Sequence, residues 1–387
     1  MTASAAPTAA PAPASAASAP TRTLSVLFVI PSLHGGGAEF VARTWMGWLA
    51  ERGHTVSVIT TSGKDTTGYL PEGVQAYSVA KAKGHFGKAR AVADLFRVTK
   101  ADVAVSLQAH ANLILLTAGE LARDKAPKII VSERNLVSLG LDGADLSHKV
   151  KIWFARKLYP RADHVIAISH PVAGELVAGF GVKGERMTVV ANPATAKVAS
   201  RARVEREPGI EAGLQIVLPC RLVVQKRPTL AIDTAAELAK RGITAEVVSF
   251  GGGPLLASMN DAAARTGVTF VDKGWVEDWF SHFAPNAVVL LPSNREGFGN
   301  VLVEAAAVGV PSVAVSGALG VADAIVPGIT GELALTDDPS DLADAVVRAS
   351  ALGLEHIDAW LDRFSVDSSG RDLERVLDLV TSGSSAT

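Results

Sequence analysis

One stretch of the sequence, residues 287–315, limits the fold more than any other: AVVLLPSNREGFGNVLVEAAAVGVPSVAV. It opens on a continuous apolar run, which is typical of a parallel strand that is buried on both faces. A proline and a serine end that strand, and Gly297 and Gly299 then shape a loop that a Cβ atom would obstruct. A helix is predicted from Asn300, and Ser312–Val315 supplies the next strand. Because open α/β sheets bind ligands at the carboxyl ends of their strands, this loop is a candidate binding site.

Two carboxylates belong to this unit, Glu296 in the loop and Glu304 about one turn inside the helix. At helical spacing Glu304 shares a face with Asn300, Val301 and Val308, so we expect it to lie in apolar surroundings. A buried carboxylate needs hydrogen-bond donors, and a sugar diol would supply two of them. The alternative is a glutamate that only compensates the dipole of a nearby helix N-terminus.

A second glycine-rich loop, PSLHGGGAE, follows the first apolar run of the chain. The predicted elements around it are a strand at Leu24–Ile30, a helix over 38–52 and a strand at Thr55–Thr60. Gly36 and Gly37 leave backbone N–H groups facing the space above the sheet, where a helix N-terminus adds partial positive charge. A dinucleotide-binding fingerprint requires a third glycine and an acidic residue after the second strand. Phe40 and the pair Thr60–Thr61 stand at those positions, so we reject a nicotinamide dinucleotide site.

Further apolar runs predict an α/β chain with two sheets. The remaining strands are expected at Val74–Val79, Val103–Leu107, Lys128–Ser132, His164–Ile168, Met187–Val190, Leu214–Pro219, Ala245–Phe250 and Val268–Val271. Further helices are expected at Thr229–Arg241, Asp341–Ser350 and Ser365–Val380. Residues 191–213 show no clear apolar period, and we interpret them as the linker between two domains.

The length of 387 residues favours two domains over one. The formal net charge of −2 argues against a nucleic-acid-binding protein held by bulk charge. One cysteine, Cys220, excludes an internal disulfide and suits a reducing cytoplasm. No apolar run approaches the roughly 20 residues needed to cross a bilayer. Residues 1–21 consist mostly of alanine, proline and serine, which predicts a disordered tail.

Two cations, Arg221 and Lys226, flank a loop at the carboxyl end of a predicted strand. A diphosphate carries about two negative charges, which an arginine fork and a lysine point charge would suit together. The alternative is a pair of surface cations, which would contribute roughly 0–1 kcal/mol in any ion pair. The turn FGGGP, centred on Gly252, follows the next strand and lets the backbone approach a ligand closely.

Three other segments have both a functional and a structural interpretation. His110 lies just beyond a predicted strand, where a histidine is either structural or chemical. In the segment SERN, at the end of another predicted strand, Glu133 and Arg134 either have a chemical role or form a structural ion pair. The stretch Ser147–Arg161, with the basic segment Lys81–Arg90, either lies on an anionic membrane surface or packs its apolar side into the domain.

These strings together resemble one family. PSNREGFGNVLVEAAAVGVP resembles the glutamate-x7-glutamate signature of retaining GT-B glycosyltransferases of family 4, and the resemblance covers nearly the whole chain after residue 22. GGGAE is similar to the loop of that family that closes over the donor phosphates and the acceptor, and RLVVQK is similar to its diphosphate-binding pair. SERN resembles a segment of lipid-linked and capsular sugar transferases, which implies a role of Glu133 and Arg134 on the acceptor side. The chain departs from the pattern after Asn192, where the family has an aspartate, and at Asp323, where it has a glutamate.

The resemblance implies a GT-B fold, in which two Rossmann-like domains with parallel sheets face each other across a cleft. The acceptor domain would span residues 22–193 and include the last helix, 365–380. The donor domain would span residues 194–364, and tails are expected at 1–21 and 381–387.

The resemblance also implies a role for each site residue. Glu304 would accept hydrogen bonds from the ribose hydroxyls, and Glu296 from the transferred sugar. Arg221 and Lys226 would bind the diphosphate, and His110 would contact the sugar near the reacting carbon. The residues implied in catalysis are Glu296, His110, Arg221 and Lys226. The residues implied in donor binding are Gly36, Gly37, Arg221, Lys226, Gly252, Gly297, Phe298, Gly299, Asn300 and Glu304.

The implied activity is that of a retaining hexosyl- or N-acetylhexosaminyl-transferase in glycan or glycoconjugate synthesis. It would use a nucleotide-sugar donor, expected to be a UDP-sugar, without a metal or another cofactor. Its acceptor would be a saccharide or a lipid-linked saccharide, in the cytoplasm or at the inner face of the cell membrane. Peripheral membrane contact is expected, and a nucleic-acid partner is not.

Two other classes stay open beside this activity, a GT-B nucleotide-sugar 2-epimerase and a non-catalytic nucleotide-sugar-binding protein. An epimerase would place other carboxylates and histidines at the cleft. A non-catalytic binder would have degraded donor motifs, whereas those of this chain are intact.

Overall fold

The structure is a computed structural model that describes residues 22–66, 68–138 and 146–382. The predicted disordered tail at 1–21 lies outside these ranges, as does most of the predicted tail 381–387. Thr381 and Ser382 belong to the final helix, which therefore runs two residues further than the sequence predicts.

The first domain is built on a parallel sheet of seven strands in the described residues. These are β1 (Ser25–Ile30), β2 (Thr55–Thr60), β3 (Gln75–Ser78), β4 (Val103–Leu107), β5 (Lys128–Glu133), β6 (His164–Ala167) and β7 (Met187–Val189). Its helices are α1 (Gly37–Glu51), α2 (Gly84–Thr99), α3 (Ala109–Ala122), α4 (Leu146–Leu158) and α5 (His170–Phe180). The strand order across the sheet is β3-β2-β1-β4-β5-β6-β7.

The second domain is built on a parallel sheet of six strands in the described residues. Its strand order matches that of the first six strands of the first sheet. The strands of the second sheet are β8 (Leu214–Leu218), β9 (Ala245–Ser249), β10 (Thr269–Asp272), β11 (Ala287–Leu291), β12 (Ser312–Val315) and β13 (Gly331–Ala334). The helices that follow are α6 (Thr229–Lys240), α7 (Leu256–Thr266), α8 (Asn300–Ala307), α9 (Pro339–Ser350), α10 (Asp358–Asp362) and α11 (Val366–Ser382). The strand order is β10-β9-β8-β11-β12-β13.

Continuous apolar runs form the central strands because helices cover both faces of each sheet. Every residue of β4 and of β11 is buried. One face of the first sheet packs against α2 and α3, and the other face packs against α1 and α11.

The last helix lies on the first sheet, although it follows the second domain in the chain. The indole N–H of Trp45 in α1 donates to the hydroxyl of Ser369 in α11 at 2.9 Å. Gly370 lies so close to the ring of Trp48 that an added Cβ would collide with it. The chain therefore crosses between the domains twice.

The strand order positions the loops that the sequence singles out. It reverses between β1 and β4 in the first sheet and between β8 and β11 in the second. Such a reversal opens a crevice beyond the carboxyl ends of the strands, where open α/β sheets bind ligands. The loops at these ends are the GGG loop before α1, the turn before α3, the loop of Arg221 and Lys226, and the glycine loop before α8.

The basic stretch around α4 divides its apolar residues between the core and the solvent. Ile152 and Ala155 are buried, whereas Trp153 is 57% exposed. Phe154 stacks on His85 of α2, with ring centroids 6.4 Å apart, so the two basic segments adjoin. In the ranges that the structure covers, no helix has both the length and the apolar character that a membrane span requires.

Candidate active site

A neighbouring segment fixes the backbone of the glycine loop between β11 and α8. The N–H of Glu296 donates to the carbonyl of Ala318 at 2.9 Å, and the N–H of Gly320 donates to the carbonyl of Glu296 at 3.2 Å. A Cβ at Gly320 would collide with the carbonyls of Glu296 and Gly297. Leu319, between these contacts, has a φ of +61°, a strained conformation for a leucine. The loop is therefore held in one conformation at the cost of local strain.

Lys226 and Glu296 form an ion pair beside this loop. Glu296 Oε1 bonds to Lys226 Nζ and also accepts from the hydroxyl of Ser293 at 2.6 Å. The two ionic side chains are only 16% and 10% exposed. The cation predicted to bind the diphosphate thus lies directly beside the carboxylate predicted to bind the sugar.

Arg221, the second predicted cation, is exposed on the same loop. Within the described ranges it takes part in no ion pair, in contrast to Lys226. The FGGGP turn packs against this loop, because a Cβ at Gly251 or Gly253 would collide with the carbonyls of the residues that flank Arg221. Gly252, the glycine that the sequence favours, has open space where its Cβ would be.

Glu304 is buried in α8, and this burial raises the pKa of its carboxyl above the ordinary value. Lys197 Nζ lies 3.6 Å from Oε1, and the Trp279 side chain also bonds to the carboxyl; both contacts favour the charged form. Lys197 belongs to the segment between the domains, and its ammonium lies 5.0 Å from the ring centroid of Phe40 in α1. The predicted burial of Glu304 is confirmed, and its polar partners come from outside its own helix.

The first domain meets the glycine loop through several predicted donor-binding residues. A Cβ at Gly37 would lie 3.5 Å from Nδ2 of Asn300. Asn300 Oδ1 accepts from Nδ2 of Asn192 at 2.7 Å. The hydroxyl of Ser169 donates to the carbonyl of Gly297 at 2.7 Å. Gly37, Asn300 and Gly297 therefore lie where the two domains touch.

The N-terminus of α1 faces the same crevice. Gly36 is its N-cap residue, and no side chain caps the helix there. Glu39, in the first turn, accepts a hydrogen bond at 2.9 Å from Nε2 of Gln108. Gln108 has a φ of +78°, so the backbone is strained at the carboxyl end of β4. This hydrogen bond thus connects the first turn of α1 to the turn before α3, and both border the crevice.

His110 lies in the first turn of α3 and is exposed. Partial burial of the ring, followed by the positive charges of Lys88, His85 and Lys151, lowers the pKa of His110 below its ordinary value of 6.5. The neutral imidazole is therefore favoured at neutral pH, where it can accept a hydrogen bond as well as donate one.

The alternative of an ion pair between Glu133 and Arg134 is wrong. Glu133 Oε2 accepts from the hydroxyl of Tyr159 at 2.7 Å, and Oε1 accepts from the backbone N–H of Arg134 at 3.0 Å. Burial raises the pKa of Glu133 to about 7. The guanidinium of Arg134 lies instead against Trp45, 4.5 Å from the ring centroid. Arg134 follows the last residue of β5, and its guanidinium lies with Trp45 in one core, whereas the Glu133 carboxyl lies with Tyr159 in the other.

Sequence reasoning misses the residues that tie the cation loop to the glycine loop. Arg227, with a φ of +45°, donates to the carbonyls of Pro292 at 2.8 Å and Ser293 at 3.1 Å. Gln225 Nε2 donates to the carbonyl of Arg295 at 3.1 Å. The available signal is the predicted parallel sheet itself, since β8 and β11 are neighbours and their carboxyl ends coincide.

Asp323, where the family pattern has a glutamate, contacts the first domain. Its Oδ2 accepts from the backbone N–H of His170 at 2.7 Å and lies 2.8 Å from Nδ1 of the same residue. Among the residues that the structure describes, no three His, Cys, Asp or Glu side chains are grouped as a metal site requires.

Two family models match the chain in succession. The model for Glycosyltransferase Family 4 matches residues 35–196, and the model for glycosyl transferases group 1 matches residues 213–351. D-inositol 3-phosphate glycosyltransferase 2 from Catenulispora acidiphila is 32% identical over 206 residues, which cover 48% of this chain and 47% of that protein. A GDP-mannose-dependent alpha-(1-6)-phosphatidylinositol monomannoside mannosyltransferase from Mycolicibacterium smegmatis is 26% identical over 291 residues, which cover 70% and 74%. The chain spans about half the length of the inositol phosphate relatives that it matches.

Solved structures share the two-domain fold. The lipopolysaccharide outer core galactosyltransferase WaaB superposes with a TM-score of 0.73 at 17% identity, covering 91% of this chain and 98% of that chain. A glycosyltransferase from Rickettsia africae gives a TM-score of 0.71 at 14% identity, covering 92% and 98%. At these identities the likeness concerns the fold, and it confirms the predicted GT-B architecture of two Rossmann-like domains. With both halves matched by their family models, this chain belongs to the family 4 glycosyltransferases.

Proposed function

We propose that this protein is a retaining glycosyltransferase that moves a sugar from a nucleoside diphosphate sugar to a saccharide acceptor, in glycan or glycoconjugate synthesis. The observation that carries the proposal is the Lys226–Glu296 ion pair beside the exposed Arg221. It brings a cation suited to a diphosphate next to a carboxylate suited to the sugar on that diphosphate.

The donor would lie beyond the carboxyl ends of β8 and β11. Arg221 and Lys226 would bind the diphosphate, the arginine through two oxygens at once and the lysine as a point charge. Glu304 would accept from the ribose hydroxyls, and Glu296 from hydroxyls of the transferred sugar. Backbone groups of residues 297–299 would pack beneath the sugar ring, where glycines leave room.

The chemistry would depend on making the nucleoside diphosphate a good leaving group. As the bond between the anomeric carbon and the β-phosphate oxygen breaks, negative charge develops on that oxygen, and Arg221 and Lys226 would stabilise it. The acceptor hydroxyl would attack the same face of the sugar and form the new bond to the anomeric carbon. Its proton would pass to the departing phosphate oxygen, so the configuration is retained. His110 and Glu296 would orient the sugar hydroxyls.

The donor would be a UDP-sugar, from which a hexosyl or N-acetylhexosaminyl group is transferred without a metal. Arg221 and Lys226 supply positive charge of the kind that Mg²⁺ provides to nucleotide phosphates in other enzymes. One relative is named for GDP-mannose, and comparing the thermal responses to UDP and GDP tests the identity of the base. Relatives named for inositol 3-phosphate and phosphatidylinositol monomannoside support a saccharide or lipid-linked saccharide acceptor.

Peripheral contact with the cytoplasmic face of the cell membrane belongs to the same proposal. Trp153 of α4 and Phe86 of α2 are 57% and 65% exposed on adjoining helices. Lysines flank both aromatics, in the segments 81–88 and 149–157. Exposed aromatic rings beside basic side chains suit an anionic lipid surface. Co-sedimentation with phosphatidylglycerol vesicles should fall in Trp153→Ser, and equal binding of both proteins would contradict this contact.

A donor-hydrolysis assay separates the three classes of function. We expect UDP and one UDP-sugar to raise the Tm of the protein, and that donor to be hydrolysed slowly to sugar and UDP. A 2-epimerase would instead interconvert the donor with its epimer, and a non-catalytic binder would leave it intact. The absence of a thermal response to every nucleoside diphosphate tried, UDP and GDP included, would refute the proposal.

A further inference from the structure

Arg134 has a buried guanidinium without a hydrogen-bond partner. Its Nε, Nη1 and Nη2 atoms are all shielded from solvent and unpaired in the described structure. The ring of Trp45 covers one face of the group, 4.5 Å from ring centroid to guanidinium carbon. Burial lowers the pKa of Arg134 to about 9, because the surroundings do not replace the water that a cation loses.

The adjacent carboxylate favours the charged form of Arg134 through space but makes no ion pair or side-chain hydrogen bond with it. Glu133 bonds instead to the hydroxyl of Tyr159 and, more weakly at 3.5 Å, to the amide of Asn112. No carboxylate forms an ion pair with Arg134 in the part of the chain that the structure describes. A buried charge without a partner is costly, so a ligand that supplies the missing charge is the simplest reason for its presence.

Two more unpaired polar atoms lie in the same region. The hydroxyl of Ser132 is buried and unpaired, and Ser132 shares a face of β5 with Ile130, which packs in the same core as Trp45. Asn192 Oδ1 is buried and unpaired as well. Trp45, which covers the Arg134 guanidinium, donates its indole N–H to the hydroxyl of Ser369. That hydroxyl donates to the carbonyl of Ala191, so Trp45 and Ser369 connect Arg134 to the residue before Asn192.

These residues border the loop that would hold the transferred sugar. The carbonyl of Arg134 lies against Gly297, where an added Cβ would collide with it. Asn192 is bonded through Nδ2 to Asn300, the first residue of α8. The cations for the donor diphosphate belong to the other domain. The unpaired guanidinium therefore lies on the acceptor side of the sugar loop.

We propose that Arg134, with Ser132 and Asn192, binds a phosphate group of the acceptor. This inference rests on the proposed function and names the chemical class of its acceptor. The guanidinium fork binds two phosphate oxygens at once, and the hydroxyl of Ser132 donates to a third. Asn192 Oδ1 accepts from a hydroxyl of the phosphorylated sugar or polyol. The phosphate supplies the missing negative charge and aligns the accepting hydroxyl with the glycine loop.

The stability of an Arg134 variant distinguishes a purely structural role of this residue from a role in ligand binding. If the guanidinium held the fold together, Arg134→Met would lower the Tm of the protein. If it is an uncompensated cation that serves a ligand, Arg134→Met removes the cost of burying it, and the Tm without ligand stays the same or rises.

Thermal unfolding of the full-length protein tests the proposal with inorganic phosphate, glucose 6-phosphate and glucose. We expect the two phosphates, but not glucose, to raise the Tm of the wild type. The Arg134→Met variant should bind both phosphates roughly ten- to a hundredfold more weakly, as expected for the loss of charge-assisted hydrogen bonds. Arg134→Lys should keep part of the response, since it retains the charge but not the fork.

Arg206→Met is the matched control. Arg206 also has two buried, unpaired nitrogens, but its Nη2 donates to the carbonyl of Ser350 at the end of α9. Its phosphate response should equal that of the wild type. An equal phosphate response in Arg134→Met, or its loss in both variants, would overturn the proposal.

Vesicles of phosphatidylcholine with phosphatidylinositol distinguish a lipid phosphate from a soluble one. Binding of these vesicles by the wild type and not by Arg134→Met identifies a lipid source, and a response to glucose 6-phosphate alone identifies a soluble sugar phosphate. A response to neither phosphate nor vesicles overturns the site. Failure of the proposed function looks different, because the wild type would then respond to phosphate but to no nucleoside diphosphate, UDP and GDP included.

Discussion

Replacing Lys226 separates the loss of an ion pair from the loss of a phosphate contact. The side chains of Lys226 and Glu296 are 16% and 10% exposed, so their pair is largely desolvated. Removing one partner of a buried pair costs about 3–5 kcal/mol because the other charge stays buried. Since Ser293 still donates to Glu296 and the site borders solvent, we expect Lys226→Met to lower the free energy of unfolding by about 2–3 kcal/mol.

Arg221→Met is the matched variant, because Arg221 is exposed and has no ion pair in the described structure. Its free energy of unfolding should change by no more than about 0.5 kcal/mol. Both variants should bind UDP with about 1.5–3 kcal/mol less free energy, or roughly ten- to 150-fold more weakly, because each loses a charge-assisted hydrogen bond to the diphosphate.

Denaturant unfolding measures the stability of these variants, and calorimetry measures their affinity for UDP. The double variant Lys226→Met/Glu296→Gln should recover most of the lost stability, since no unpaired charge remains, but none of the lost affinity. Equal stability in the Lys226 and Arg221 variants, or wild-type affinity for UDP in both, would refute the reasoning.

The other side chains of the site lead to four further expectations. Glu304→Gln should raise the donor KM more than it lowers kcat, whereas Glu296→Gln should lower kcat and nearly spare UDP affinity, which steady-state kinetics and calorimetry check. Turnover should persist in excess EDTA, and a loss restored by Mn²⁺ would contradict this. Burial raises the pKa of Glu133 from 4.5 to about 7, so this carboxyl contributes stability below 4.5 that is lost as the pH rises through 7. The Tm of Glu133→Gln, relative to the wild type, should therefore increase across that window. Gly297→Ala should lower Tm and kcat because its Cβ collides with the backbone of the first domain, while Gly252→Ala, with open space, should keep the wild-type Tm.

The central strands are predictable because burial on both faces leaves continuous apolar runs. The limits of β2, β4 and β12 follow from the sequence residue for residue. β13 is missed because Gly331–Ala334, read GELA, opens with a glycine and carries a glutamate, both of which are rare in strands. α3 is missed for the opposite reason, since it is apolar almost all round and shows no helical period.

The residue types of the site are predictable, but their pairing is not. The spacing of Arg221 and Lys226 indicates a diphosphate loop without distinguishing the two cations. Lys226 ends a short 3-10 turn that is hydrogen-bonded to the loop after β11, which brings its ammonium to Glu296, whereas Arg221 is exposed and has no ion pair in the described residues. Glu133 and Arg134 show the converse, because adjacent opposite charges suggest an ion pair, whereas the two side chains lie with Tyr159 and with Trp45 in different cores.

The polar contacts that join the domains end on or beside the loop that would hold the donor sugar. Ser169 donates to the carbonyl of Gly297, Asn192 donates to Asn300, and Asp323 accepts from the first turn of α5. A ligand that shifts the backbone at Gly297 must therefore lengthen or shorten contacts between the domains. In the proposed function, occupation of the sugar loop would therefore change the contacts between the domains. Closure of the domains on the bound donor would align the acceptor with the anomeric carbon and exclude water from that carbon.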